Sequence, residues 1–174
     1  NFQTSYYSMT TQTIFEQIQL KKSFLCLGLD PDLDKMPSHL VASSEEPLFD
    51  FCKAIVDNVH HLCVSVKINT AFFEAYGVAG FATLNKLADY IKSHYPELFL
   101  IADAKRGDIG NTSLRYAKAF YEAMPFDAIT IAPYMGKDSV EPFLTYKNKH
   151  AILLALTSNE GAADFQLKAN DKEV

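Results

Sequence analysis

Residues 103–113 read Asp-Ala-Lys-Arg-Gly-Asp-Ile-Gly-Asn-Thr-Ser and directly follow the apolar run Leu98-Phe99-Leu100-Ile101-Ala102. The run predicts a buried strand that ends in a cluster of alternating charges. Alternation along a strand places Asp103 and Lys105 on one face, with the methyl of Ala104 on the other. Arg106-Gly107-Asp108 then turns the chain away. Ionised groups at the end of an apolar strand are costly unless they pair. A second lysine, Lys67, closes another apolar run in the same way. Two lysines and a carboxylate at the ends of apolar strands point to catalysis. A structural ion pair at a strand end is the plainer reading of the same residues.

The elements that must position these groups follow from periodicity. A helix is expected from Thr13, where Thr13 and Glu16 have capping-box spacing and Ile14, Phe15 and Ile18 form an apolar face. Strands are expected at 24–30, 63–69, 98–105, 128–133 and 150–157, and helices at 46–61, 80–94, 112–123 and 138–146, with Thr112 and Asp138 as helix caps. Alternating strands and helices with continuous apolar strands imply an α/β fold with a parallel sheet, either doubly wound or a barrel. Strand parity puts Gly28 and Asp30, then Ser65, Lys67 and Asn69, then Asp103 and Lys105, each on one strand face. Such convergence fits the single mouth of a TIM (β/α)8 barrel, of which the first five βα units are visible. Gly28, Gly107 and Gly110 do not have the spacing of a glycine-rich nucleotide loop. An eight-fold barrel takes roughly 250 residues, so residues 9–174 read as a single barrel domain incomplete at its carboxyl end. Asn1 to Ser8, ahead of Met9, read as a tag or an upstream extension.

The 174 residues carry 16 Lys and Arg against 21 Asp and Glu, a formal net charge of -5, with 48% hydrophobic residues. This composition fits a globular protein and offers no basic stripe for nucleic acid, while leaving room for a small anionic substrate in a locally positive cleft. Cys26, Cys52 and Cys63 are odd in number and form neither a disulfide framework nor a metal spacing, which implies reduced thiols and a cytoplasmic location. His39, His60, His61, His94 and His150 form no ligand pattern, and no metal is expected. No signal segment or membrane span is seen, so no membrane partner is expected.

Lys67, the Asp-x-Lys-x-x-Asp segment at 103–108 and Asp30 together resemble the orotidine 5'-monophosphate decarboxylase family. The longer string DAKRGDIGNT at 103–112, the segment KINTAFFEAYG at 67–77 and the block TSNEGAADFQ at 157–166 are similar to a bacterial branch of that family. The resemblance covers residues 10–166, about the first two thirds of a family member. It implies cofactor-free decarboxylation of orotidine 5'-monophosphate to uridine 5'-monophosphate in pyrimidine biosynthesis. In that pattern Lys105 stabilises and protonates the carbanion at carbon six. Asp103 lies by the substrate carboxylate and orients Lys105, and Lys67 holds Asp103 and a ribose hydroxyl. Asp30 binds the ribose, and Ser158 binds the pyrimidine. Asp108, Ile109 and Thr112 reach the neighbouring subunit's site, which implies a homodimer. Asn69 is a further candidate on strand parity alone. The phosphate ligands fall in the absent carboxyl third. A magnesium-dependent sugar-phosphate decarboxylase or aldolase on the same barrel, and a non-catalytic partial barrel, are the alternative readings.

Overall fold

A computed structural model describes residues 9–167; the expected amino-terminal tag or upstream extension and the polar residues 168–174 lie outside the described residues. Five strands, β1 (Leu25–Leu29), β2 (Cys63–Asn69), β3 (Phe99–Arg106), β4 (Ala128–Ile131) and β5 (His150–Leu153), form one parallel sheet in the order β1-β2-β3-β4-β5. The helices are α1 (Thr11–Lys21), α2 (Ser38–Ser43), α3 (Pro47–Val59), α4 (Ala71–Glu74), α5 (Gly77–His94), α6 (Gly110–Lys118), α7 (Lys137–Leu144) and α8 (Ala162–Phe165). A doubly wound sheet reverses its strand order at a switch point; here each strand pairs with the next in sequence. Right-handed crossovers without a reversal put the connecting helices on one face, as in a barrel wall.

That helix-covered face holds the main core. Val66, Ile68, Leu100, Ala102, Ile129 and Ile131 pack against Cys52 and Val56 of α3, Leu84, Leu87 and Ile91 of α5, and Ala117 of α6. Strand periodicity sends Phe99, Ile101 and Ala128 to the other face, where they bury Met9, with Ile14 of α1 packed alongside. His150 Nε2 lies 2.9 Å from the Met9 carbonyl oxygen, which ties the amino end to β5. Leu25, Ile152 and Leu153, on the two edge strands, remain exposed.

Several boundaries differ from expectation for local reasons. The cap of α1 is Thr10, and the capping box is Thr10 with Thr13, because the Thr13 side chain returns a bond to the Thr10 backbone. Thr112 is inside α6, whose N-cap is Ile109; the Thr112 N–H donates to the Ile109 carbonyl. Asp138 is in the first turn of α7, after a Gly136 N-cap at φ 92°, so its carboxylate faces the helix N-terminus without capping it. Pro133 has no N–H to extend β4, and β5 stops where its single partner stops, at the Ile131–Leu153 pair. Helix α5 begins at Gly77, and Gly80 packs so close to α4 that a Cβ there would stand 1.8 Å from the Phe73 carbonyl oxygen. Helices α2, α4 and α8 are too short for periodicity to mark them.

Candidate active site

Pairing brings the polar strand ends together. Gly28 is opposite Lys67, and Asn69 is opposite Asp103. Between β3 and β4 the register slips: Ala102 pairs with Ile129, but Arg106 pairs with Ile131. Asp103, Ala104 and Lys105 therefore face the single residue Thr130. The bulge places Lys105 in the left-handed region, at φ 48°, a conformation that costs a residue with a Cβ about 1–2 kcal/mol. The side chains fall on the faces that alternation predicts, although the backbone does not stay extended.

Asp103 is the hub. Its Oδ2 accepts from Lys67 Nζ at 3.0 Å, and its Oδ1 accepts from Lys105 Nζ at 2.7 Å and Thr130 Oγ1 at 2.9 Å. The aspartate side chain is 11% exposed, whereas Lys67 and Lys105 are 34% and 52% exposed. A nearly buried carboxylate thus holds the ammonium groups of two partly exposed lysine side chains. Burial opposes the charge on Asp103, but the bonds from Lys105, Lys67 and Thr130 outweigh it and hold the carboxyl below its ordinary range. Burial also opposes the charge on Lys67, and Asp103, with a smaller contribution from Asp30, overcomes it and raises the ammonium's pKa.

The sign of the linkage is fixed by these directions. The stabilisation from Asp103 is full above its ordinary value of 3.8 and is lost as pH falls through its lowered folded pKa. That from Lys67 is full below its ordinary value of 10.5 and is lost as pH rises through its raised folded pKa. The cluster will therefore contribute a constant stability between those ordinary values. Urea midpoints measured across that range will differ between wild type and Asp103→Asn by a constant offset, and the offset will shrink below it.

Neighbouring residues fix the bulge. The Arg106 guanidinium donates to the Ala104 carbonyl at 2.9 Å and to Glu74 of α4, and it lies 5.4 Å from the Tyr116 ring centroid of α6. The Ala132 N–H closes onto the Arg106 carbonyl. At Gly107 a Cβ would stand 2.7 Å from the Ala132 carbonyl oxygen, so only glycine lets the chain pass β4 there.

The other candidates make no hydrogen bond to this hub. Asp30, exposed after β1, acts on Lys67 through its charge. Asn69 Oδ1 accepts from the Ala71 N–H at 3.3 Å, a local turn bond. The Asp108 carboxylate accepts from the Ile109 N–H at 2.7 Å, and Ile109 and Thr112 are exposed. Ser158 is exposed beyond β5. Thr130 was not foreseen from sequence, although it is the one polar residue of the strand Ala-Ile-Thr-Ile and shares the parity of Ala128. Among the described residues no three His, Cys, Asp or Glu side chains stand close enough to hold a metal ion. No helix there is long and apolar enough to cross a membrane.

Residues 23–174 match the model of a family described as orotidine 5'-phosphate decarboxylase / HUMPS. The chain is 64% identical over 167 residues to an orotidine 5'-phosphate decarboxylase of Flavobacterium johnsoniae, covering 95% of this chain and 61% of that protein. It is 62% identical to the protein of the same name from Christiangramia forsetii, again covering 95% and 61%. The solved structure of Leishmania donovani OMP decarboxylase superimposes with a TM-score of 0.75 at 33% identity, covering 91% of this chain and 60% of that one. The chain thus spans about three fifths of the length of the curated relatives it matches. These neighbours identify the five-stranded sheet as part of a TIM barrel.

Proposed function

Since the chain belongs to the orotidine 5'-phosphate decarboxylase / HUMPS family, we propose that it supplies the charged centre of an enzyme that decarboxylates orotidine 5'-monophosphate without a cofactor. The observation that carries this reading is the Lys67–Asp103–Lys105 chain of hydrogen bonds at adjoining strand ends. Breaking the bond from carbon six to the carboxylate leaves an electron pair on that carbon, with no electron sink in the ring. A fixed ammonium nearby stabilises that pair in the transition state more than in the ground state. Lys105 is that ammonium. It then transfers a proton to carbon six, giving uridine 5'-monophosphate and carbon dioxide, and the neutral amine regains its proton from water. Asp103 aims Lys105 through its hydrogen bond to the ammonium, and its own charge lies beside the departing carboxylate. Lys67 restrains Asp103 and binds ribose together with Asp30, and Ser158 bonds the pyrimidine.

Asp108, Ile109 and Thr112 act on the partner's substrate in a homodimer. Their lack of a hydrogen bond to the Asp103 hub, and the exposure of Ile109 and Thr112 where the chain enters α6, support that assignment. The three free thiols, with buried Cys52 pushed up to about 12, fit a reducing cytoplasm.

Two measurements test the reading on the full-length protein. Decarboxylation of orotidine 5'-monophosphate will proceed at an unchanged rate in excess chelator; loss of activity there would favour a metal-stabilised enediolate instead. Mixing Lys105→Ala with Asp108→Asn subunits will restore activity to about one quarter of wild type, because about half of randomly exchanged dimers carry one fully native site. No recovery after verified subunit exchange would overturn the shared site.

A further inference from the structure

Opposite the bulge, Thr130 is 5% exposed and uses one hydroxyl twice. It donates to Asp103 Oδ1 at 2.9 Å and accepts from the Lys105 backbone N–H at 2.9 Å. The slipped register removes the β4 backbone partner that Lys105 would otherwise have, so the hydroxyl replaces a ladder bond at the residue held at φ 48°. The same oxygen orients the carboxylate that holds the Lys105 ammonium at 2.7 Å. We propose that Thr130 is a positioning residue for Lys105, coupling the strained backbone of residue 105 to the carboxylate that aims its side chain. Its role in catalysis rests on the decarboxylase reading above, but its role in geometry does not.

A hydroxyl and a methyl on one Cβ make the test clean. Thr130→Val keeps the shape and removes both bonds, while Thr130→Ser keeps both bonds and removes only the methyl group. The charged groups facing the pair are Lys67 from β2, Lys105 from β3, and Asp30 after β1 through its effect on Lys67. In the full-length protein Thr130→Val will lower kcat by about 10- to 100-fold, the worth of one hydrogen bond to a charged group, with KM changed by less than about threefold. Thr130→Ser will return kcat to within about fivefold of wild type. Independently of activity, the Asp103 carboxyl carbon, followed by NMR in protein labelled with carbon-13 aspartate, will titrate at higher pH in Thr130→Val than in wild type and Thr130→Ser.

An unmoved Asp103 titration in Thr130→Val would overturn the proposal whatever the enzyme does. So would a serine variant as impaired as the valine variant, since that result assigns Thr130 to packing. If wild type fails to decarboxylate the nucleotide while the titration moves as expected, the decarboxylase reading falls and the positioning role stands.

Discussion

Lys105→Ala will lose decarboxylation by a factor of at least about 10,000 in kcat/KM while remaining folded. Proton transfer by a positioned acid is worth about 100- to 10,000-fold, and a pre-placed charge on a developing anion about 100- to 1,000-fold. Lys105 is assigned both tasks, so the low ends of the two ranges multiply to about 10,000-fold, which is the smallest loss expected. Lys105 is 52% exposed, and its pair with Asp103 makes little difference to the fold in high dielectric. Alanine keeps a Cβ at φ 48°, so the backbone cost at the bulge is unchanged. Stability will therefore fall by less than about 1 kcal/mol, and the lost rate reports the missing ammonium alone. Lys105→Arg extends the test: its guanidinium keeps the charge but does not release a proton at neutral pH, so it will not restore turnover. Single-turnover decay of substrate absorbance checks both variants. An alanine variant within tenfold of wild type would remove Lys105 from the chemistry.

The order of the elements was legible because β3 opens with the apolar run Phe99–Ala102, β2 alternates apolar with polar residues, and helices α3 and α5 carry apolar residues at helical spacing. Asp103 and Lys105 were also legible, since a strand period of two puts them on one face, and in the bulged strand their side chains do meet. The bulge itself was not. It arises from a register slip against β4 that fixes Thr130 opposite three residues, and pairing between strands more than twenty residues apart leaves no local mark. Helix caps failed for a related reason. Thr112 and Asp138 have the right side chains, but glycines at positive φ, Gly110 and Gly136, bring the chain into the helix before either residue can cap it. The burial of Lys92 leaves no mark in the sequence either. The residue follows Ile91 at the carboxyl end of an amphipathic helix, where a lysine normally faces water and the helix dipole favours it, yet its side chain is fully buried.

That burial yields the largest expected effect on the fold. Lys92 Nζ donates to Asp127 Oδ2 at 3.0 Å, to the Pro96 carbonyl at 3.1 Å and to the Leu98 carbonyl at 3.2 Å; the same carboxylate oxygen accepts from the Leu100 N–H at 2.8 Å. The pair ties the end of α5 to the starts of β3 and β4, at the end of the sheet away from Asp103. Asp127→Ala leaves a buried ammonium with two neutral carbonyls and orphans the Leu100 N–H. Breaking a buried pair in this way costs about 3–5 kcal/mol, far more than an exposed pair is worth. Replacing both partners, as in Lys92→Met with Asp127→Leu, removes the uncompensated charge and will recover more than half of that loss, although the Leu100 N–H stays unpaired. Urea unfolding of the full-length protein at neutral pH checks both. The folded fraction of each variant will retain wild-type kcat, because neither residue touches the Lys67–Asp103–Lys105 chain. A loss below about 1 kcal/mol in Asp127→Ala would mean that the pair behaves as a surface contact despite its burial. A double variant no better than the single one would mean that the carboxylate's bond to the Leu100 N–H, which joins β3 to the start of β4, and not the ion pair, accounts for the lost stability.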